Sequence, residues 1–260
     1  TDQWASGPSL PISIDHSTSI SWGDKIYVFG GQNDQGKSGR VFMLNSHSIA
    51  WQEVSPMSYA RLGCRAIVVA NKIWVIGGAD SIGVSDKIEV YDPRLDQWEE
   101  GPVLSVAKNA PAVWLHENRI FVAAGTSGPN IFSSSIHYYD LLNEKWESSG
   151  TTPEQVASMG YGLINQKIYL AGGHKASGGT NKVFAADLNA SIAGVYDLYR
   201  KDGNASAGTP MVQAEVADGS VTSSKIASNT ITTSDLSEQI LKYLKPEITT
   251  QPQAQNVYSD

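Results

Sequence analysis

The chain has little that would hold it together covalently or carry it into a bilayer. One cysteine, Cys64, in 260 residues rules out an internal disulfide framework. No run of 18 apolar residues occurs, so no segment reads as a membrane-inserted helix. Charged residues make up only 17% and the net charge is -7, which argues against a nucleic-acid partner held through its phosphates and leaves a neutral or sugar ligand open. The five histidines, His16, His47, His116, His137 and His174, form no i, i+2 or i, i+4 pair. Zinc and copper therefore have no motif to bind. The acidic loop from Asp80 to Asp86 lacks a defined calcium-ligand spacing, and no cofactor is expected. The first residues, Thr1-Asp2-Gln3-Trp4, carry no signal-peptide pattern and read as the start of a processed or excised segment. Two sequons, at Asn189 and Asn204, matter only in a glycosylating host.

What the chain does have is glycine, 24 residues of it, and much of it is periodic. Lys72 to Gly78 reads KIWVIGG. The pattern recurs as KIYVFGG at Lys25 to Gly31, RIFVAAG at Arg119 to Gly125 and KIYLAGG at Lys167 to Gly173. The steps between the closing glycines are 47, 47 and 48 residues. Ile73 and Val75 alternate with Trp74 and Ile76, a period of two that predicts a strand. Short turns precede each copy, at Gly23-Asp24, Ala70-Asn71, Glu117-Asn118 and Asn165-Gln166, so each strand is expected to be the second arm of a hairpin. The glycines Gly30, Gly31, Gly77, Gly78, Gly125, Gly172 and Gly173 then end the strands, where a positive φ or a close backbone approach is needed. Ala124 stands at the first of the pair in the third copy, so the second glycine is the stricter requirement.

A second landmark keeps step with the first. Trp4, Trp51, Trp98 and Trp146 are separated by 47, 47 and 48 residues. Between them lie FMLN (Phe42 to Asn45), VYDP (Val90 to Pro93) and YYDL (Tyr138 to Leu141), each a strand entering a turn. One period thus holds four strands. A four-stranded unit of this length cannot bury both its faces alone and signals a propeller blade stacked around an axis.

This glycine pair, Tyr-Asp and Trp before a Pro-containing link resembles the kelch repeat, and Gly77-Gly78, Tyr91, Trp98 and Gly101-Pro102 match it throughout. The resemblance covers roughly residues 1 to 190. It implies an all-β fold, a kelch-type β-propeller of four visible four-stranded repeats, either a closed four-bladed ring or part of a larger one. The repeats fall at about 12–58, 59–105, 106–153 and 154–190. Residues 1–11 match the outer strand and exit link of a blade, and the fourth repeat lacks its own tryptophan. The N-terminal strand carrying Trp4 is therefore expected to close the last blade beside Phe184 and Ala186, which would remove exposed sheet edges.

From about residue 190 aromatics become rare and Ser, Thr and Ala take over. Val221, Ile226, Ile231, Leu236 and Leu241 recur every five residues. Residues 191–245 resemble the stalk repeats of bacterial and phage fibres, which implies self-association, as a trimer, through this tail, or its docking on the propeller; read from composition alone the segment is equally a flexible linker. Asp235 to Lys245 reads as a short helix, capped by Asp235 and stopped by Pro246. Residues 246–260 resemble a linker or the beginning of a truncated bacterial immunoglobulin-like domain.

In kelch propellers, ligands bind on the face made by the loops between second and third strands and the links between blades. Carried over by register, the position 16 residues before each first glycine is Ile14, Arg61, Lys108 and Val156. Asp15, His16, Arg65, Asn109, Ser158 and His174 lie around it. Arg61, Arg65 and Lys108 could hold an anionic group; alternatively each pairs with a neighbouring blade's backbone or carboxylate. Kelch oxidases need a Cys-linked Tyr at copper, and Cys64 instead reads as a buried structural thiol. A sialic-acid mutarotase-like epimerase could cast His16 and Asp15 as acid and base and Arg61 as carboxylate anchor. No catalytic constellation is compelled. The expectation is a non-enzymatic binding or adhesion module of a secreted or surface-displayed bacterial or phage-like protein, extracellular or at the cell surface, that takes a glycan or protein ligand at Asp15, His16, Arg61, Arg65, Lys108, Asn109 and His174.

Overall fold

Each glycine-ended motif is the second strand of an antiparallel sheet. In the computed structural model, which describes residues 3–188, every regular element is a strand. The first sheet runs Thr18–Trp22, Lys25–Phe29, Val41–Asn45 and Gln52–Val54, each strand beside its predecessor. The second repeats this order with Arg65–Val69, Lys72–Ile76, Ile88–Asp92 and Gln97–Glu100, and the third with Ala112–His116, Arg119–Ala123, Ser135–Asp140 and Lys145–Thr151. The fourth contains Gly160–Ile164, Lys167–Ala171 and Val183–Asp187. Four repeats thus make four propeller blades. The stalk-like repeats, the helix at 235–245 and the segment 246–260 lie outside the described residues.

The turns show why the pattern works. Ala70 and Asn71 have φ of 48° and 62°, and Asn165 and Gln166 have 49° and 61°. Two consecutive left-handed residues give the hairpin turn whose twist matches its strands. At the other end of the strand the glycine pair lets blades touch. A Cβ on Gly77 would stand 2.3 Å from the Lys108 carbonyl oxygen, and one on Gly78 would stand 2.7 Å from that of Leu62. No side chain fits there.

The core lies between blades. Tyr27 and Phe29 of blade one meet Tyr91 of blade two, and Trp98 packs at 4.8 Å from the Tyr91 ring. Trp74 and Tyr139 fill the next junction with Trp146 against Tyr139. Trp114 stacks on Phe121 at 5.1 Å, facing Ile168 and Leu170 of blade four. Two of the tryptophans are also tied by a polar bond, Trp98 Nε1 donating to Ser55 O at 2.8 Å and Trp51 Nε1 to Pro8 O at 2.9 Å, whereas Trp146 Nε1 has no partner among the described residues.

That second bond places residues near Pro8 where Ser55 stands in the next repeat, on the link entering blade one. Trp4, by contrast, is 100% exposed, and no strand from residues 3–11 joins the fourth sheet among the described residues. The expected closure of the last blade by Trp4 beside Phe184 and Ala186 is therefore not what the structure shows. Pairing of that strand along the fourth sheet requires the two ends of the row of blades to meet, and among the described residues the backbone bonds between blades run one to two, two to three and three to four.

Candidate functional site

The face carrying the loops between second and third strands is built by small hairpins. Gln32–Asn33 pairs with Gly36–Lys37, Thr126–Gly128 with Ile131–Phe132, and His174–Lys175 with Gly178–Gly179. Blade two has a single bridge there, Ala79 to Val84. Each hairpin is pinned to the strand entry of its own blade by one further bridge: Asp15 to Gln32, Leu62 to Ala79, Asn109 to Thr126 and Ala157 to His174. Residues spread over the whole sequence are in this way set on one rim.

A belt of backbone hydrogen bonds runs just inside that rim. Gly63 N donates to His16 O at 2.8 Å, Ala110 N to Gly63 O at 2.8 Å, and Ser158 N to Ala110 O at 3.0 Å. All four residues hold positive φ, between 50° and 64°. Their spacing matches the repeat, so the belt is a property of the blades and not of individual side chains. Asn109 lies against it, with its Oδ1 only 2.1 Å from where a Cβ on Gly63 would be, which is why that position in repeat two is a glycine.

Of the seven residues expected to bind a ligand, Arg61 and Lys108 are removed from the surface. Arg61 is fully buried. It donates to Glu89 Oε2 at 2.8 Å, to Lys87 O at 2.8 Å and to Gly77 O and Val75 O, each at 3.2 Å. Lys108 is 1% exposed, and its Nζ donates to Ser133 Oγ at 2.6 Å and Ser135 Oγ at 2.7 Å. Burial pushes the Lys108 ammonium down to about 8. Each cation is bonded inside its own blade, Arg61 in blade two and Lys108 in blade three, and not to a neighbouring blade as the alternative reading of the sequence expected. Neither can serve as an anion anchor on the rim.

Arg65 is half-buried and spans a junction, its Nε donating to Pro111 O at 3.0 Å. Asn109 is half-buried, with its amide 3.4 Å from Thr126 Oγ1. Asp15 and His16 are exposed, with His16 Nδ1 and Asp15 Oδ1 in hydrogen-bond contact at 2.6 Å. With Arg61 inside blade two, the epimerase casting of His16, Asp15 and Arg61 loses its carboxylate anchor. Cys64 is buried, and burial pushes its thiol up.

His174 is the expected site residue that borders a cleft. Its ring lies 5.7 Å from that of Phe132. Phe132, Glu154, Gln155, Lys175, Ala176 and Ser177 line a cleft of about 320 Å³ between the hairpins of blades three and four. Lys175 Nζ donates to Glu154 Oε2 at 3.1 Å, and Lys182 holds the other carboxylate oxygen. These two lysines keep the Glu154 carboxyl below its ordinary range. The arrangement offers one aromatic face, one fixed pair of opposite charges, an amide and a hydroxyl within one small space. The sequence had singled out His174, next to Lys175. Glu154 stands two residues before the Val156 register position; neither it nor Phe132 carried a signal of its own.

A second polar group lies beneath the same face. Ser105 Oγ is 3.2 Å from His137 Nδ1, and burial together with the Lys108 charge lowers the His137 pKa. Among the described residues no group of three or more His, Cys, Asp or Glu could hold a metal ion.

Comparison with known proteins follows the same lines. A family model described as the KLHDC2/KLHL20/DRC7 Kelch-repeats domain matches residues 2–149. No curated protein sequence matches the chain. Solved structures match in 313 chains, a breadth that marks an architecture and not one activity. One of them, titled "Structure of YjhT", is 15% identical with a TM-score of 0.62, over 70% of this chain and 65% of that one. The chain therefore spans slightly less than two thirds of that protein's length, and at this identity the likeness is one of fold.

Proposed function

Because this chain belongs to the kelch-repeat family, with its loops gathered on one rim, we propose that it is a binding module that takes a glycan in the cleft between blades three and four. The observation that carries this reading is the Phe132 ring beside the Glu154–Lys175 ion pair. A sugar presents a C–H face and a rim of hydroxyls. The ring covers the first, while Glu154, Lys175, Gln155 and Ser177 exchange hydrogen bonds with the second. Nothing in the cleft is poised as a nucleophile beside a base.

The stalk-like reading of residues 191–245 places such a module at the head of a secreted or surface-displayed fibre. Screening the full chain on a glycan array, with Phe132→Ala and Gln155→Ala beside it, tests the proposal. Retention of a defined set of sugars, weakened on the order of tenfold or more by Phe132→Ala as expected for loss of an aromatic anchor, supports it. Retention unchanged by both variants, or turnover of an acidic sugar that depends on His16, overturns it.

A further inference from the structure

Blade three carries a group of side chains that the cleft does not use. Lys108 enters it from the link before the third sheet, and Ser133 and Ser135 come from the segment that leads into and opens the strand Ser135–Asp140. Lys108 Nζ lies 2.6 Å from Ser133 Oγ and 2.7 Å from Ser135 Oγ, and the two hydroxyls are 3.1 Å apart. Three polar atoms thus form a triangle in which each is within hydrogen-bond reach of the other two. The Lys108 Nζ meets no carboxylate among the described residues.

The other repeats show which part of this is scaffolding. Ser38, Ser85 and Thr180 stand where Ser133 stands, and each of the four hydroxyls accepts from the backbone N–H two residues on. That hydroxyl belongs to the turn of every blade. Ser135 does not: Arg40, Lys87 and Lys182 take its place in the other repeats, and Ile14, Arg61 and Val156 take that of Lys108. Among the four repeats, an amine and a second hydroxyl occur together in blade three alone. Blade two has a cation too, but a guanidinium keeps its proton at any working pH, and Arg61 is bound to Glu89 at 2.8 Å. A buried lysine gives up its proton far more readily, and the Lys108 ammonium, 1% exposed, is pushed down to about 8.

From this arrangement we infer that Ser135 is a nucleophile, with Lys108 as its general base and Ser133 as the hydroxyl that orients the pair, and that it accepts the acyl group of small carboxylic esters. Ser133 Oγ already accepts from Ser135 N at 3.2 Å, whereas Ser135 Oγ accepts from no backbone N–H among the described residues. With the amine neutral, one assignment of protons satisfies the triangle: Lys108 donates to Ser133 Oγ, Ser133 to Ser135 Oγ, and Ser135 to the Nζ lone pair. The Ser135 proton then points at its base. Both serines are half-buried, which limits the acyl group to a short one. In the reaction Ser135 Oγ bonds to the ester carbonyl carbon, its proton passes to Lys108 Nζ, and the bond from that carbon to the alkoxide or phenolate breaks. The ammonium gives its proton to the leaving group or to solvent. Water, deprotonated by the same amine, then attacks the acyl carbon, releases the acid and restores the Ser135 hydroxyl. His137, on the same face of the strand as Ser135, is the titratable group on which the Lys108 charge acts; burial and that charge lower its pKa, so it is neutral throughout the window in which Lys108 titrates.

Reaction of the full chain with p-nitrophenyl acetate, read by mass spectrometry of its peptides, tests this. The p-nitrophenolate leaves without a proton, so the attack itself is measured. The expected result is an acetyl group on Ser135, formed at a rate that rises from pH 6 and levels above about 8 as Lys108 loses its proton. Ser135→Ala loses that label. Lys108→Arg keeps a cation of the kind blade two holds at this place, and is expected to slow labelling by about 100- to 10,000-fold, the usual contribution of a general base. Ser133→Ala slows it less and leaves the inflection where it was. An acetyl group on Lys108 itself, acetylation of surface lysines with none at Ser135, or labelling of Ser135 that Lys108→Arg leaves unchanged overturns the inference. Where Lys108→Arg does not fold, the parent's pH profile decides, and a rate that climbs with hydroxide without levelling overturns it as well. No sugar enters the experiment, so its failure leaves the glycan cleft as it stands.

Discussion

Arg61 and Lys108 hold the same position in consecutive repeats, and only Arg61 faces a carboxylate, Glu89, at 2.8 Å. One repeat later Ile136 takes the place of Glu89, and Lys108 is left with two serine hydroxyls. The two blades solve one packing problem by different chemistry. Blade two buries an ion pair in which Glu89 Oε1 also accepts from Ser58 N at 2.7 Å, while Arg61 Nε has no hydrogen-bond partner among the described residues. Blade three buries a lone ammonium that burial makes easier to neutralise.

Breaking the pair in blade two leaves a buried charge without compensation. Glu89→Ala is expected to destabilise the propeller by about 3–5 kcal/mol, the usual range for removing one partner of a buried pair. Arg61→Met should cost a similar amount. The double variant Arg61→Met/Glu89→Leu is expected to lose less than either single change, because no charge then remains inside. Denaturant unfolding of the three variants and the parent measures all of these, and a double variant that loses the sum of the two would overturn the account.

Lys108 gives a pH dependence whose sign is fixed by its lowered value. The folded state releases the Lys108 proton near 8, while in an unfolded chain a lysine holds it to about 10.4. Between those values the unfolded state binds more protons, so stability rises with pH through that window; the strain of the buried ammonium is fully present below it. Lys108→Met removes the group and leaves Ser133 and Ser135 bonded to each other at 3.1 Å. The difference in unfolding free energy between parent and variant should therefore shift in the parent's favour from pH 8 to pH 10. Comparing the two proteins cancels the tyrosines Tyr27 and Tyr91, which burial holds above their ordinary range. A difference that stays flat across the window would sink the assignment.

The glycine pairs supply a graded test of the blade junctions. Gly77→Ala puts a methyl 2.3 Å from the Lys108 carbonyl at a φ of 62°, with backbone on the far side that has nowhere to move. A loss of about 1–3 kcal/mol is expected from the strained conformation alone. Gly172→Ala has the same φ but only Thr180 O within reach, at 3.4 Å, and Ala124 already occupies the corresponding place at a φ of 59°. Its cost should be markedly smaller. Thermal melts of the two variants under identical conditions make the comparison, and equal losses would mean that the open flank of blade four is not open in solution.

How much of this was legible beforehand depends on how far apart the partners lie. The strands at Lys25–Phe29, Lys72–Ile76, Arg119–Ala123 and Lys167–Ala171 stand where alternation and the closing glycines put them, since both signals are local. The kelch assignment rests on register, and register survives any change of side chain between landmarks. Trp4 misled because its own sequence does match an outer strand, while the partner of such a strand depends on where the row of blades ends. Arg61 was placed on the rim because its position is on the rim; its guanidinium turns inward to Glu89, 28 residues on, a pairing visible only once Lys72–Ile76 and Ile88–Asp92 are laid side by side. The cleft was the least readable. Phe132, Glu154 and Lys175 come from three segments of two blades, and each is an ordinary residue for a loop.

The last expectation concerns the cleft itself as pH falls. Lys182 and Lys175 both donate to the Glu154 carboxylate, and these bonds hold its pKa below the ordinary glutamate value. A carboxylate with a lowered folded pKa keeps its charge, and the ion pair with Lys175, until the pH passes below about 4.3, the value of an unperturbed glutamate. Sugar retention should accordingly be level from pH 7 to pH 5 and fall only below that. Lys182→Ala removes one of the two donors without touching the lining of the cleft. In that variant the fall is expected to begin at higher pH, with retention at pH 7 unchanged. Titrating retention on the preferred sugar for the parent and for Lys182→Ala settles the point: coincident profiles would show that the Glu154 charge takes no part in holding the ligand, and the Phe132 ring would then be left as its main anchor.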